Sequence, residues 1–142
     1  MKTVKQVLDS KGRDAWSIDA DASVFEAISL MAQRQIGALL VMDKGKLVGI
    51  VTERDYARKV ILEGRSSKQT PVRKIMETNV LCVSPEQTVE ESMALMTEKR
   101  VRHLPVLKGR DIDGIISIGD LVKAIIAEQK FIIEQLVHYI TG

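Results

Sequence analysis

The sequence predicts an α/β (α+β) fold: two β-α-β-β-α repeats packed sheet to sheet with pseudo-twofold symmetry. Three observations predict it. Residues 15–61 lie over residues 80–126 without a gap, at a constant offset of 65. A constant offset over a whole supersecondary unit marks a structural repeat. The matches fall on periodic apolar positions, among them Val24/Val89, Leu30/Leu95, Met31/Met96, Leu39/Leu104 and Val41/Val106. Finally, the hairpin runs IGALLVM and KLVGIVT are apolar on both faces, and such a sheet needs a cover on each side. Helices of the same repeat supply one cover, and the sheet of the other repeat supplies the second. A lone unit of about 60 residues buries too little surface to be more than marginally stable.

Each copy reads in the same order. The leading runs VKQVLDS and VRKIMET match at an offset of 68, so the first copy carries three extra residues around 11–14. A short strand follows at 16–19, and again at 81–84. Ser23 with Glu26, and Thr88 with Glu91, are capping-box pairs that open a helix. Strands are expected at 36–42 and 47–51 around the turn Asp43-Lys44-Gly45-Lys46. They recur at 101–107 and 112–116 around Lys108-Gly109-Arg110-Asp111. A second helix begins near Thr52 or Ser117. The boundaries that result are 1–62 for the first repeat, 63–71 for a polar linker, 72–127 for the second repeat and 128–142 for a helical tail. In that tail Phe131, Ile132, Ile133, Leu136, Val137 and Ile140 recur at helical spacing. The stripe must be covered, either by the chain's own core or by a second subunit. A homodimer is the expected assembly.

Composition removes several classes of function. The 142 residues are 45% hydrophobic and 28% charged, which suits a folded soluble chain. A net charge of +2 and an aromatic content of 4% offer neither a basic footprint nor stacking platforms, so nucleic acid is not expected as a partner. One cysteine, Cys82, excludes an internal disulfide and a multi-cysteine zinc site. No metal is expected. No run approaches the ~20 apolar residues of a membrane span, and the N-terminus does not read as a signal peptide. A cytoplasmic location is expected.

The chemistry concentrates in one motif written twice: Gly49-Ile50-Val51-Thr52-Glu53-Arg54-Asp55 and Gly114-Ile115-Ile116-Ser117-Ile118-Gly119-Asp120. Each ends a strand and begins a helix. One reading is a capping box, with Thr52 and Ser117 at the cap and Asp55 and Asp120 three residues on. The other is a ligand site. Both first helices place Glu at that third position, Glu26 and Glu91, whereas both second helices place the shorter Asp. A short, stiff carboxylate can accept two hydrogen bonds from the vicinal diol of a ribose. The Thr or Ser hydroxyl shares its helix face, and unpaired N–H groups at the helix start suit phosphate. A diol with a phosphate is a nucleotide. The spacing leaves both readings open.

Two strand–helix–strand–strand–helix copies, each closing in Gly-apolar-apolar-Thr/Ser-x-x-Asp, resemble a tandem pair of CBS (cystathionine β-synthase) domains. Leu104-Pro105-Val106 and the run Ser84-Pro85-Glu86-Gln87-Thr88-Val89 are similar to the family as well. The resemblance covers residues 3–127. It implies a regulatory module that binds adenosyl compounds (AMP, ADP, ATP, NAD or S-adenosylmethionine) in clefts between the repeats. It further implies that Thr52 with Asp55 serves one cleft and Ser117 with Asp120 the other. The sequence departs from the family at Leu40, where a proline is frequent, and at Gly119, which replaces the Arg54 of the first copy.

Other residues follow from that frame. Arg100, Arg102 and His103, with Arg54, are candidates for a phosphate clamp; the alternative for the run Lys99–His103 is a solvated helix end. Its counterpart in the first copy, around Ile36, Gly37 and Ala38, has lost the charge. With Ser17, those three are candidates for an adenine slot, since a missing side chain lets base and backbone approach. The two clefts are therefore expected to be unequal. Trp16 reads as packing. Cys82, matched to Ser17 in the repeat, reads as a buried residue of an apolar strand rather than a nucleophile with His103 or His138, since a catalytic Cys needs a thiolate-stabilising base close by. The expected function is a sensor of adenine nucleotide (NAD, AMP, ADP or ATP) that acts on an unknown effector protein. The alternatives are an enzyme acting on nucleotides and a nucleic-acid-binding protein.

Overall fold

The computed structural model describes residues 2–141. The elements are α1 (Val4–Lys11), β1 (Ser17–Asp19), α2 (Val24–Arg34), β2 (Ala38–Asp43), β3 (Lys46–Thr52) and α3 (Glu53–Tyr56). A π-helical turn (Ala57–Ile61) and a 3-10 turn (Val72–Lys74) follow, then α4 (Val89–Lys99), β4 (His103–Lys108), β5 (Asp111–Ser117) and α5 (Ile118–Thr141). The fold is mixed α/β.

The described chain divides into two compact units. Ala15–Val80 forms the first, and the described residues of 1–14 and 81–142 form the second. The sequence repeats thus exchange their leading segments. Val4, Val7 and Leu8 of α1 enter the core built by the second repeat, with Val89, Met96, Leu104, Val106 and Ile116. Val72 and Ile75 enter the core of the first, with Val24, Met31, Leu39, Val41 and Val51. The physical reason lies in Gly49 and Gly114. A Cβ on Gly114 would stand 2.9 Å from Leu8 Cδ2, and one on Gly49 would stand 2.7 Å from Met76 Sδ. Each strand keeps a bare backbone where a leading segment lies against it.

In the first unit β1 pairs in parallel with β2, and β2 pairs antiparallel with β3. In the second, β4 and β5 form the same antiparallel hairpin, and both hairpins shift register beside the glycine, between Val41/Met42 and Val106/Leu107. The turn of the first hairpin places Lys44 and Gly45 at positive φ, as a twisted two-residue turn requires. Thr88 and Glu91 close the expected reciprocal box, whereas at Ser23 only half of it forms: Ser23 Oγ accepts from the Glu26 amide.

One expectation is corrected. The strand expected at 81–84 shrinks to a single parallel bridge between Val83 and Val106. In the first unit the Leu40 amide donates to the Trp16 carbonyl at 3.1 Å. Its counterpart Pro105 has no N–H to donate, so the ladder stops one residue earlier. Beyond Val83 the ladder stops again: the Ala20 amide donates to the Met42 carbonyl at 2.9 Å, but its counterpart Pro85 has no N–H to donate. The tail is helical and continues α5, which runs unbroken for 24 residues. Its own core does not cover it, because Phe131 is 59% exposed, Ile133 60% and Ile140 80%.

Candidate functional site

Both motifs fold into the same corner. Strand β3 ends at Thr52, whose Oγ1 accepts from the Asp55 amide at 3.2 Å. Asp55 Oδ2 accepts from the Thr52 amide at 2.9 Å and from Thr52 Oγ1 at 3.0 Å. In the second unit Ser117 Oγ accepts from the Asp120 amide at 3.1 Å, and Asp120 Oδ2 accepts from the Ser117 amide at 2.8 Å. The next helical amide is met from the hairpin: Glu53 N–H donates to the Gly37 carbonyl and Ile118 N–H to the Arg102 carbonyl. The contrast between Asp and Glu drawn from the sequence is corrected here. Aspartate does reach back to the cap, and it closes the box in both corners. Both boxes use Oδ2, so they leave Oδ1 for other partners.

Those surroundings differ between the corners. Asp55 is buried, with 5% exposure, and its Oδ1 lies 3.3 Å from Lys59 Nζ. Lys59 comes from the π-helical turn one helical turn on. It also donates to the Ile75 carbonyl at 3.0 Å and to Glu77 Oε1 at 2.8 Å. Burial pushes the Asp55 carboxyl above the usual range, with Glu77 adding to it, although the Thr52 donors and Lys59 oppose it. Glu77 is held low, first by its bond to Lys59.

In the second corner Lys11, the last residue of α1, donates to Asp120 Oδ2 at 2.7 Å and to the Ile115 carbonyl at 2.6 Å. Burial pushes Asp120 up, but Lys11 and the Ser117 donors together outweigh it and hold the carboxyl below its usual value. Opposite Ser117 in the hairpin register stands His103, where Ala38 stands opposite Thr52. Burial pushes His103 down; Asp120 opposes this, while Lys11 and Arg102 add to it. The ring therefore enters the corner neutral, as a hydrogen-bonding group rather than a charge.

The remaining sequence candidates stand on several elements. Ile36 and Gly37 line a groove of about 570 Å³ in the first unit, with Met31, Glu53 and Tyr56; Thr52 and Asp55 do not line it. Ser17 lies on β1 opposite Leu40. Arg100 is the left-handed C-cap of α4, as Gln35 is of α2. Arg54 follows the cap on α3. Trp16 packs under the Arg34 guanidinium, 4.0 Å from the ring centroid. Cys82, expected as a buried strand residue, is half-buried and lies outside any strand; burial still pushes its thiol up, away from the thiolate a nucleophile needs. Among the described residues no group of three or more His, Cys, Asp or Glu is placed to hold a metal, and no helix is long and apolar enough to cross a membrane.

Three site residues escaped the sequence reading: Lys11, Lys59 and Glu77. Lys59 carried a signal, since Asp55 and Lys59 stand at i,i+4. Lys11 reaches its partner across 109 residues, which no local pattern reveals.

Comparison with known proteins agrees with this architecture. The CBS domain family matches residues 4–62 and again 72–127. The CBS domain-containing protein CBSX3, mitochondrial, of Arabidopsis thaliana is 43% identical over 99% of this chain and 72% of its own length. A CBS-domain protein of Burkholderia ambifaria MC40-6 superposes with a TM-score of 0.88 at 55% identity, covering 90% of this chain and 96% of that one. The CBS domain pair of protein MJ0100, solved with 5'-methylthioadenosine and S-adenosyl-L-methionine, shares the fold at a TM-score of 0.80 and 24% identity. That match covers 90% of this chain and 98% of the other.

Proposed function

Because the chain belongs to the CBS domain family and carries the domain twice, we propose that it is a regulatory module sensing an adenine nucleotide of the NAD, AMP, ADP or ATP class. Thr52 with Asp55 and Ser117 with Asp120 hold the ribose, and the effector is a separate protein. The observation that carries this reading is the duplicated corner. In both units one carboxylate oxygen is committed to the cap, and the rigid box fixes where the other oxygen sits. A carboxylate held so firmly is preorganised to accept a diol. Arg54, Arg100, Arg102 and His103 supply donors toward phosphate, and Ser17, Ile36, Gly37 and Ala38 line the base.

The module acts as a sensor rather than a catalyst. Its ligand biases one conformation by a differential free energy, typically ~1–3 kcal/mol. The chain works as a homodimer through the apolar stripe of α5. It resides in the cytoplasm, a reducing compartment that suits a chain with one cysteine and so no internal disulfide.

The test is thermal melting of the full chain with AMP, ATP, NAD and S-adenosylmethionine. A ligand at 100 times its Kd stabilises by about 2.7 kcal/mol, so at least one of them raises Tm. If all four leave the curve unmoved at millimolar concentration, the nucleotide reading fails.

A further inference from the structure

The two lysines beside the motif carboxylates are not counterparts. Lys59 sits one helical turn beyond Asp55, and Lys11 ends α1. They also differ in what they have left to give. An ammonium has three donors. Lys59 is within reach of three acceptors: the Ile75 carbonyl, Glu77 and Asp55. Lys11 meets two, the Ile115 carbonyl and Asp120, so one N–H stays open among the described residues.

The charge around them differs in the same sense. In the first corner two carboxylates, Asp55 and Glu77, share one ammonium, and Glu53 stands beside Arg54 on the same turn, adding no net charge. In the second corner one carboxylate, Asp120, faces Lys11, with Arg102 near enough to act on the neighbouring His103. An anion brought to Asp55 meets the uncompensated charge of Glu77. An anion brought to Asp120 meets an ammonium that is already fixed in place by a backbone carbonyl. The Asp120 side chain is also more accessible, 20% against 7% for Asp55.

We infer that Lys11 is the residue that makes the Ser117–Asp120 corner select the phosphate-bearing form of its ligand, while the Thr52–Asp55 corner, where Glu77 opposes an anion, discriminates less between nucleotide and nucleoside. The inference rests on the nucleotide reading above and goes beyond it, since it assigns the phosphate preference to one corner and to a residue outside the motif. Lys11 acts as a specificity residue. Asp120 takes the diol whether or not a phosphate follows, and Lys11 adds an attraction only when one does.

The experiment is calorimetric titration of the full chain with AMP and with adenosine. The chains compared are the natural protein, Lys11→Met, Lys11→Arg and Lys59→Met, with amide shifts of Gly119 and of Arg54 reporting which corner responds. One charge-assisted contact to phosphate is worth about tenfold or more in affinity. Lys11→Met therefore weakens AMP by tenfold or more at the Gly119-reporting corner and leaves adenosine within about twofold. Lys11→Arg keeps the preference for AMP, and Lys59→Met leaves the AMP-to-adenosine ratio unchanged. Equal loss of both ligands in Lys11→Met gives Lys11 a merely structural role and overturns the inference. Undiminished AMP binding in that variant overturns it too, with the nucleotide reading intact. If the natural protein binds neither AMP nor adenosine, the nucleotide reading itself falls and this inference falls with it.

Discussion

Leu8 presses on Gly114: a Cβ added to the glycine would come within 2.9 Å of Leu8 Cδ2. Met76 meets Gly49 in the same way, but there a Cβ would also stand 2.9 Å from the Glu77 carbonyl oxygen. A side chain can swing aside, whereas the Glu77 carbonyl is tied by the bridge of Glu77 to Ile50. Both glycines therefore resist substitution, and Gly49 resists more. Overpacking of this kind costs about 1–3 kcal/mol. Denaturant melts of Gly49→Ala and Gly114→Ala should place the first at the upper end and the second at the lower end.

The two motif aspartates give opposite contributions to the pH dependence of stability. Asp120 is held below its usual value. Its contribution is present above the unfolded pKa of about 3.9 and is lost as pH falls through the lower folded value. Asp55 is raised. The folded state then binds the proton more tightly than the unfolded state does, so stability falls as pH rises from about 3.9 through the raised folded value. Denaturant unfolding between about pH 3 and pH 7 tests this. The stability advantage of the natural protein over Asp120→Asn should shrink toward acid, and its advantage over Asp55→Asn should grow.

Val122, Ile126, Ile133, Leu136 and Ile140 alternate at four- and three-residue spacings along α5, interrupted only at Gln129, and all five are exposed. Isoleucine at successive a positions with leucine at d is the pattern of a paired helix. Light scattering should find a dimer for the full chain at micromolar concentration. Ile133→Lys with Leu136→Lys, or a chain ending at Ala127, should shift it to monomer with little change in the melting of the units.

The missing ladder bond at Pro105 can be restored. In Pro105→Leu the new amide faces the segment at Leu81 as Leu40 faces Trp16, so the parallel pairing should extend toward residue 81. Hydrogen exchange is the readout: the residue-105 amide should be protected to the same degree as the Leu40 amide. The reverse change, Leu40→Pro, removes the bond to the Trp16 carbonyl and should cost about 1–3 kcal/mol, the penalty for a buried acceptor left without its donor.

Much of this molecule is determined by local relations that a linear sequence displays. The repeat, the two hairpins and the caps at Ser23, Thr88, Thr52 and Ser117 depend on neighbours three or four residues apart, or on a period of two. Those periods survive folding because they reflect the geometry of one helix or one strand. Even the lost strand at 81–84 was written in the sequence, as prolines at 105 and 85 where the first copy has Leu40 and Ala20. What only the tertiary structure decided is everything that joins distant segments. α1 joins the unit of the second repeat rather than its own. Lys11 finds Asp120 across 109 residues, and Lys59 is shared with Glu77. Burial then drives one motif carboxylate up and its ion pair holds the other down. The reason is that burial and ion pairing are set by which surfaces meet in space. Two corners spelled almost alike thus acquire different chemistry from residues that neither motif contains.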